Sequence, residues 1–243
     1  RLGRRDVAHG IEQGSRAMSR NWLVFAPLGI AILVFVLQKL RAISTLLTAM
    51  GLGAMVYLAI QYRQGLSLLV LGRSFDLSPL EAASLAFCLV LALVVVLYSY
   101  DIPEADLAHS LILLAMVVFS ISAMARNLAI GGLLFQTAAI LAAMLIPSSR
   151  PRSSMVGMRA LILLVISGCC SLLASWALEG QAADSSNTLF ANLGSITLAI
   201  GFGIVLPIMP FHIWQPPIYK HSTPLAVVAC TVILNIVAML RIN

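Results

Sequence analysis

The sequence predicts an all-α membrane protein, a bundle of about eight transmembrane helices in which the seventh helix is broken. Of its 243 residues, 60% are hydrophobic and only 10% are charged, whereas a soluble domain usually carries about 25% charged residues. The mean hydropathy of +1.00 agrees with this class. A spanning helix needs about 20 apolar residues, so about eight helices use most of the chain.

The apolar segments fix the order of the predicted elements. Residues 1–21 form a polar N-terminal segment, and residues 22–243 form a single transmembrane domain. The predicted helices lie near residues 22–37, 43–62, 80–98, 107–125, 128–146, 155–178, 188–213 and 223–240. Only two residues, Arg126 and Asn127, separate the fourth helix from the fifth, which predicts antiparallel neighbours. The apolar stretch at residues 66–71 is too short to span and is interpreted as a surface hairpin.

The charge and the cysteines exclude several classes of function. The net charge of +6 does not indicate nucleic acid as a partner, because the sequence has no basic face interleaved with aromatic side chains. We interpret the basic residues as loop residues that orient helices in the bilayer. The cysteines lie in apolar runs without CxxC or Cys/His spacing, so neither disulfides nor a metal site are expected. They are Cys88, Cys169, Cys170 and Cys230.

The predicted helix interiors carry no charge. All 15 basic and 9 acidic residues fall in predicted loops or at predicted helix ends. A charge at mid-helix costs about 2.5–3.5 kcal/mol on insertion scales, so membrane proteins keep one mainly where it has a function. The interiors offer only uncharged polar groups, including Gln136, Thr231 and Asn235. For most of the hydroxyls we expect helix-to-helix hydrogen bonds, and for Gln136 a hydrogen-bonding partner or a water.

The seventh helix contains the most specific motif of the chain. Pro207 and Pro210 lie three residues apart in it, and Phe-His-Ile-Trp follows at residues 211–214. A proline inside a helix removes a backbone hydrogen bond and clashes one turn back, so this helix is predicted to break. Broken membrane helices are tolerated only where they are buried in protein or line a wet cavity.

PFHIW, followed by Ser-Thr-Pro-Leu at residues 222–225, resembles the helix-seven/eight motif of the antiporter-like membrane subunits. These subunits occur in respiratory complex I (NADH-quinone oxidoreductase), membrane-bound hydrogenases and Mrp-type cation antiporters. The residues around the third and fifth helices are similar to the family in order and spacing, so the resemblance covers about residues 43–243. The motif positions that mark the break and the following helix are Pro207, Pro210, Phe211, Trp214 and Pro224.

The departures from the family concern its ionisable positions. The proton-handling glutamate of the family's fifth helix corresponds to Gln136, and the lysine of its seventh helix falls on Val205. The lysine or histidine of its eighth helix falls near Cys230 or Leu234, with Asn235 as the nearest polar group. Glutamine cannot take up a proton near pH 7. The chain is thus similar to a divergent and short member, without the family's second inverted repeat.

The resemblance implies a membrane-arm subunit of a multi-subunit quinone oxidoreductase-like or ion-translocating complex. The departures imply that the subunit is structural, with reduced or lost proton conduction. We expect no catalytic residue, no metal and no cofactor bound by this chain. Other membrane subunits and lipids are the expected partners, and a bacterial inner or other energy-transducing membrane is the expected location.

Two alternatives remain open. In the first, the chain is an active proton or cation carrier whose ion pathway uses Gln136, His212, Thr231 and Asn235. In the second, it is an unrelated permease or lipid-modifying enzyme. Catalysis would require paired carboxylates or a nucleophile with a base, and only acids in predicted loops are present.

The histidines have structural as well as functional interpretations. His212 is either a proton relay at the break, since its pKa lies near neutrality, or a neutral side chain that hydrogen-bonds the carbonyls freed by Pro210. We favour the second interpretation, because no acidic or basic partner is expected inside the bilayer. His109, near the start of the fourth helix, is expected to be solvated.

Overall fold

The structure is a computed structural model that describes residues 27–37, 39–62, 68–70, 73–75, 78–101, 107–125, 127–147, 154–183 and 188–242. Its helices, in chain order, are α1 (Pro27–Val36), α2 (Arg41–Tyr62), α3 (Pro79–Tyr98), α4 (Ala108–Met124), α5 (Leu128–Ala143), α6 (Ser154–Ala183), α7 (Thr188–Val205), α8 (Gln215–His221), α9 (Pro224–Val227) and α10 (Leu234–Ile242). A π-helical segment, Val228–Ile233, joins α9 to α10. The 3₁₀ turns are Ser99–Asp101 and Phe211–Trp214.

Helical structure occurs at all eight predicted positions, but only some of these helices have the length of a membrane span. Four helices, α2, α3, α6 and α7, are long and apolar enough to cross a membrane. The other apolar helices among the described residues have 10–17 residues, which is shorter than a typical span. The chain is therefore compatible with a multi-pass membrane protein, and the count of eight spans stays a prediction. The polar segment 1–21 and the first residues of predicted helix one lie outside the described residues.

Local sequence explains where α3 and α5 begin. Ser78 and Glu81 form a capping box at α3: the backbone N–H of Ser78 donates to Glu81 Oε2 (2.6 Å), and the N–H of Glu81 donates to Ser78 Oγ (3.3 Å). The side chain of Asn127 accepts a hydrogen bond from the N–H of Ile130 (3.1 Å) at the start of α5. These caps satisfy backbone donors that a helix leaves free at its first turn.

Between α2 and α3 the chain forms a two-stranded antiparallel ribbon. Strand β1 (Leu68–Val70) pairs with strand β2 (Arg73–Phe75), with Leu68 opposite Phe75. The pairing agrees with the predicted hairpin in this connection. The rest of the described structure is helical.

Helices α2 to α5 enclose the main apolar core, and α9 and α10 pack against it. Leu52, Leu89 and Leu113 are almost fully buried there, and the rings of Phe119 and Phe135 lie 5.9 Å apart between α4 and α5. These side chains form a continuous packed interior that positions the helices around the break in α7.

Helices α6 and α7 form an antiparallel pair whose backbones approach closely at Gly201. The hydroxyl of Ser167 donates to the carbonyl of Gly201 (2.8 Å), and a Cβ added to Gly201 would lie 3.2 Å from Cys170 Cβ. Small residues at a helix contact are typical of membrane proteins, where packing rather than a hydrophobic driving force holds helices together. Helix α6 also continues to Ala183, so Glu179 lies within it and not after its predicted end at residue 178.

The hydroxyls in the helices follow the prediction only in part. Ser122 of α4 donates to the carbonyl of Gly131 on α5 (2.8 Å), and Ser167 donates to α7, as expected. The prediction is wrong for four others, which donate to a carbonyl four residues earlier in their own helical segment: Ser120, Thr137, Thr197 and Thr231. A Ser or Thr hydroxyl can reach the carbonyl one turn earlier in its own helix, and that local bond prevails here.

Candidate functional site

The break after α7 follows from the missing N–H group of Pro207. In a continuous helix that N–H would donate to the carbonyl of Gly203. Instead the N–H of Ile208 donates to Gly203 (3.0 Å), which leaves the carbonyl of Ile204 without its usual donor. The indole N–H of Trp214 fills that place at 2.9 Å. Trp214 therefore caps the end of the broken helix.

Phe211 completes this closure from the same 3₁₀ turn. Its N–H donates to the carbonyl of Ile208 (2.7 Å), and its ring packs onto Gly203, where an added Cβ would lie 3.5 Å from Phe211 Cδ2. Trp214 is 3% exposed. The Phe and Trp of the PFHIW motif thus fold back on the last turn of α7, and Trp214 satisfies the Ile204 carbonyl that the break at Pro207 releases.

His212 does not take the structural role that the sequence suggested. Its side chain is exposed, and within the described residues it makes no hydrogen bond. The interpretation that His212 bonds the carbonyls freed by Pro210 is wrong, because its exposed side chain makes no such bond among the described residues; the indole of Trp214 instead caps the carbonyl of Ile204. Its interpretation as a proton relay stays a prediction.

The segment after the break contains buried polar atoms that lack partners. Gln215 Nε2, at the start of α8, and Ser222 Oγ, at its end, are buried without a hydrogen bond in the described part of the chain. Pro210 and Pro224 are exposed, and Pro224 occupies the first turn of α9, where its missing N–H costs nothing. A buried polar atom without a protein partner is a place for an ordered water.

Gln136, which the sequence resemblance predicts to take the place of the family's glutamate, connects α5 to α6. Its Nε2 donates a short hydrogen bond to the carbonyl of Leu164, and its side chain lies directly over Gly168. A Cβ on Gly168 would come within 2.6 Å of Gln136 Cγ and Cδ. The partner expected for Gln136 is therefore present. The contact requires a donor, which an amide provides at every pH and a carboxylate does not.

The eighth predicted helix contains a π-helical segment at the position where the sequence resemblance predicts the family's lysine or histidine. Within it the thiol of Cys230 donates to the carbonyl of Ala142 on α5 (3.2 Å), and Thr231 Oγ1 donates to the carbonyl of Val227 (2.7 Å). One turn later, Asn235 Oδ1 is buried without a partner among the described atoms. Single π-helical turns are frequent at functional sites.

The candidate pathway residues are not directly connected. In the described structure no hydrogen bond joins any two of Gln136, His212, Thr231 and Asn235: Gln136 faces α6, Thr231 bonds its own helix, and His212 is exposed. The π-helical segment joins the last helical segment to α5 through the bond between Cys230 and Ala142. Any ion pathway through these four residues would therefore require intervening water.

His109 is the ionisable side chain that the sequence placed wrongly. It is 1% exposed, in the first turn of α4, and its Nε2 lies 3.3 Å from Thr45 Oγ1 on α2. Ser44 and Thr48 on α2 are buried as well, and the hydroxyl of Thr48 donates to the carbonyl of Ser44 (2.8 Å). The expectation of a solvated His109 is wrong because α2 packs its hydroxyl-bearing face over the start of α4. Three hydroxyls within one turn of α2 were the available signal.

Replacing His109 with leucine is expected to destabilise the protein by about 1–3 kcal/mol, since Thr45 then loses a buried partner. In a double-mutant cycle with Thr45→Val, the two changes should be less costly together than their sum. The midpoint of thermal unfolding in detergent measures both effects. His221→Leu, at an exposed position, is the matched control and should change the midpoint little; equal effects of the two leucine variants would contradict this interaction.

A scan against protein-family models matched no family for this chain, and a search of the curated proteins found no match either. The described residues contain no group of three or more His, Cys, Asp or Glu side chains placed to hold a metal ion. The resemblance to antiporter-like subunits and the absence of a cofactor therefore both stay predictions.

Proposed function

We propose that this chain is a structural membrane-arm subunit of a multi-subunit quinone oxidoreductase-like or ion-translocating complex, with reduced or lost proton conduction. The observation that carries the proposal is the state of Gln136. At the position of the family's proton-handling glutamate, this amide is held as a donor to the Leu164 carbonyl between two helices. It serves helix packing and cannot titrate.

The other positions of the family's relay support the same function. Val205, which takes the place of the lysine of the seventh helix, is a buried apolar residue at the end of α7. Cys230, near the place of the ionisable residue of the eighth helix, is fully buried and donates to Ala142. A relay passes protons between groups that change charge near neutral pH, and these three positions provide none.

The lipid-facing surface is consistent with a subunit that contacts neighbours. In the four long apolar helices, only 28–39% of the residues in the most apolar window are buried within the chain. We take the remaining faces to meet lipid and other membrane subunits. In the same proposal, the first predicted helix (residues 22–37, which contains α1), α4, α5 and the last helical segment also span, which gives about eight spans in total, because helices that are short for the bilayer are accommodated by its local thinning.

The proposal predicts that the complex still translocates ions when the side chain of His212 or Gln136 is removed. In the complex reconstituted into liposomes, His212→Ala and Gln136→Ala should each leave the rate of ion translocation within about twofold of the parent, because neither side chain lies on a relay of titrating groups. The pH change inside the liposomes measures the rate, and native gel electrophoresis measures assembly. The subunits that co-purify with this chain identify the complex to use.

A reference variant distinguishes a general structural defect from a specific loss of ion translocation. Trp214→Ala is the reference for a structural defect, and it should lower assembly and translocation together. If His212→Ala or Gln136→Ala abolishes translocation while assembly stays intact, the proposed structural role is wrong.

A second candidate, an active proton or cation carrier, is favoured by one group of observations. Asn235 Oδ1 and Gln215 Nε2 are buried without partners in the described structure, and His109 is a buried ionisable group. Ordered waters at the orphan atoms would connect polar groups that the protein leaves apart. Loss of translocation in Asn235→Leu, with assembly unchanged, would support the carrier and count against the structural role.

A further inference from the structure

A groove lies between the first turns of α6 and the segment after the break. Its volume is about 220 Å³, and it is lined by Val156, Arg159, Ile162, Leu163, Ile213, Trp214 and Pro217. Six of these seven residues are apolar or aromatic. Val156, Arg159 and Leu163 recur at the spacing of one helix face, so one side of α6 forms one wall and the Ile213–Pro217 segment forms the other.

Arg159 provides the free charge of this groove. Its side chain is exposed, and its nearest polar contact is Met155 Sδ at 3.9 Å, which is a weak acceptor. Within the described residues the guanidinium makes no ion pair. The indole N–H of Trp214 is already committed to the carbonyl of Ile204. A ligand in the groove would therefore contact the positively charged guanidinium of Arg159 and otherwise apolar side chains.

The position of Arg159 along α6 matches the edge of a bilayer. Helix α6 has 30 residues, which is about 45 Å of helix and longer than the roughly 30 Å hydrocarbon core. Arg159 lies five residues after Ser154, the first residue of α6, so it is about 7.5 Å from the helix end. At this depth an arginine reaches the headgroup region while its neighbours stay among acyl chains. The adjacent Ile213 is 71% exposed and extends the apolar wall outward.

We propose that this groove binds an anionic phospholipid, with its phosphate on Arg159 and an acyl chain along Ile162, Ile213 and Pro217. Guanidinium binds phosphate through paired hydrogen bonds and a full charge, and the apolar walls match the hydrocarbon chain. At the headgroup level the guanidinium has no ion-pair partner among the described residues, and the lipid phosphate provides one. This inference requires the chain to lie in a membrane, and it is independent of whether the chain conducts protons.

Lipid retention by the purified full-length chain tests the proposal. Native mass spectrometry would count bound dioleoylphosphatidylglycerol and dioleoylphosphatidylcholine at equal concentrations. We expect the anionic lipid to bind about fivefold tighter, the effect of one basic residue at an anionic surface. Arg159→Ala should remove this preference, and Arg159→Lys should keep most of it. Lys220→Ala, an exposed cation outside the groove, is the matched control and should leave the preference unchanged.

Further experiments distinguish an anionic phospholipid from other ligands of the groove. Ile213→Trp should fill the groove and weaken the binding of both lipids, and glycerol 3-phosphate alone should not compete with the lipid. Equal binding of the two lipids by the parent chain, or an anionic preference that survives Arg159→Ala, would overturn the proposal. A photo-crosslinker at position 213 should add the mass of a lipid in native membranes; capture of a polypeptide there would assign the groove to a protein partner and also refute it.

Discussion

Replacing Trp214 with phenylalanine should destabilise the protein, although most of the buried aromatic volume is kept. The change removes the indole N–H that caps the carbonyl of Ile204 and leaves that carbonyl buried without a donor. Such a loss costs about 1–3 kcal/mol. Trp214→Ala also removes the packing of a side chain that is 3% exposed, and it should cost about 3–5 kcal/mol. The midpoint of unfolding in mixed detergent and dodecyl sulfate micelles measures both.

Trp176→Phe is the control for Trp214→Phe. Trp176 lies on α6, is 57% exposed and makes an edge-on contact with Phe190, with ring centroids 5.6 Å apart. Replacing Trp176 with phenylalanine removes an indole of the same size but no hydrogen bond to a broken helix. The midpoint of unfolding should therefore change little. If the two phenylalanine variants unfold at the same point, Trp214 does not act as a cap.

The break in the seventh helix could be predicted from sequence, but its closure could not. Two prolines three residues apart remove the backbone donors at fixed positions, and this is a local property of the chain. Which group replaces those donors depends on the path of the chain after Pro207. The sequence suggested His212, because a histidine without an acidic or basic partner inside the bilayer was expected to bond freed carbonyls. The 3₁₀ turn instead directs Trp214 inward and leaves His212 exposed.

The contacts of His109, at the start of α4, also could not be predicted from the neighbouring sequence. The position of His109 near the start of the fourth predicted helix suggested a solvated side chain. The outcome depends on Thr45 of α2, which lies 64 positions earlier in the chain and packs against the ring. Helix ends such as Ser78 and Asn127 were predictable, because a cap involves residues within one turn. Contacts between helices require the packing of the whole bundle.

The sequence predicts that Gln136 requires a hydrogen-bonding partner, but which residue provides it depends on another helix. A buried amide requires a hydrogen bond, which is a statement about one residue. Leu164 provides the acceptor because Gly168, one turn later on α6, has no side chain to hold α5 away. In the sequence, Gly168 is one of several small residues in apolar segments, and nothing local distinguishes it from Gly132 on α5.

Gly168→Ala is therefore expected to disrupt the contact between α5 and α6. The new methyl group would lie 2.6 Å from Gln136 Cγ and Cδ, so the glutamine must move and its bond to the Leu164 carbonyl is lost. Overpacking of this kind costs about 1–3 kcal/mol, and the lost hydrogen bond adds about 1 kcal/mol. The midpoint of unfolding in mixed detergent and dodecyl sulfate micelles measures the effect.

Gly132→Ala is the matched control. No atom lies within 4 Å of a Cβ added at Gly132, so the better helix propensity of alanine should leave stability unchanged or raise it by up to about 1 kcal/mol.

The pair Gly168→Ala and Gln136→Ala tests the cause of that loss. Gln136→Ala alone should destabilise, because it removes the hydrogen bond to Leu164 and leaves a cavity over Gly168. In the Gly168→Ala background the same truncation should stabilise, because it removes the clashing atoms and lets the alanine methyl fill the space. This reversal of sign is a property of direct contact, and it distinguishes steric conflict at Gln136 from a general intolerance of α6 to substitution. If the two changes simply add, the side chain of Gln136 does not lie over Gly168, and the packing role that we propose for it loses its support.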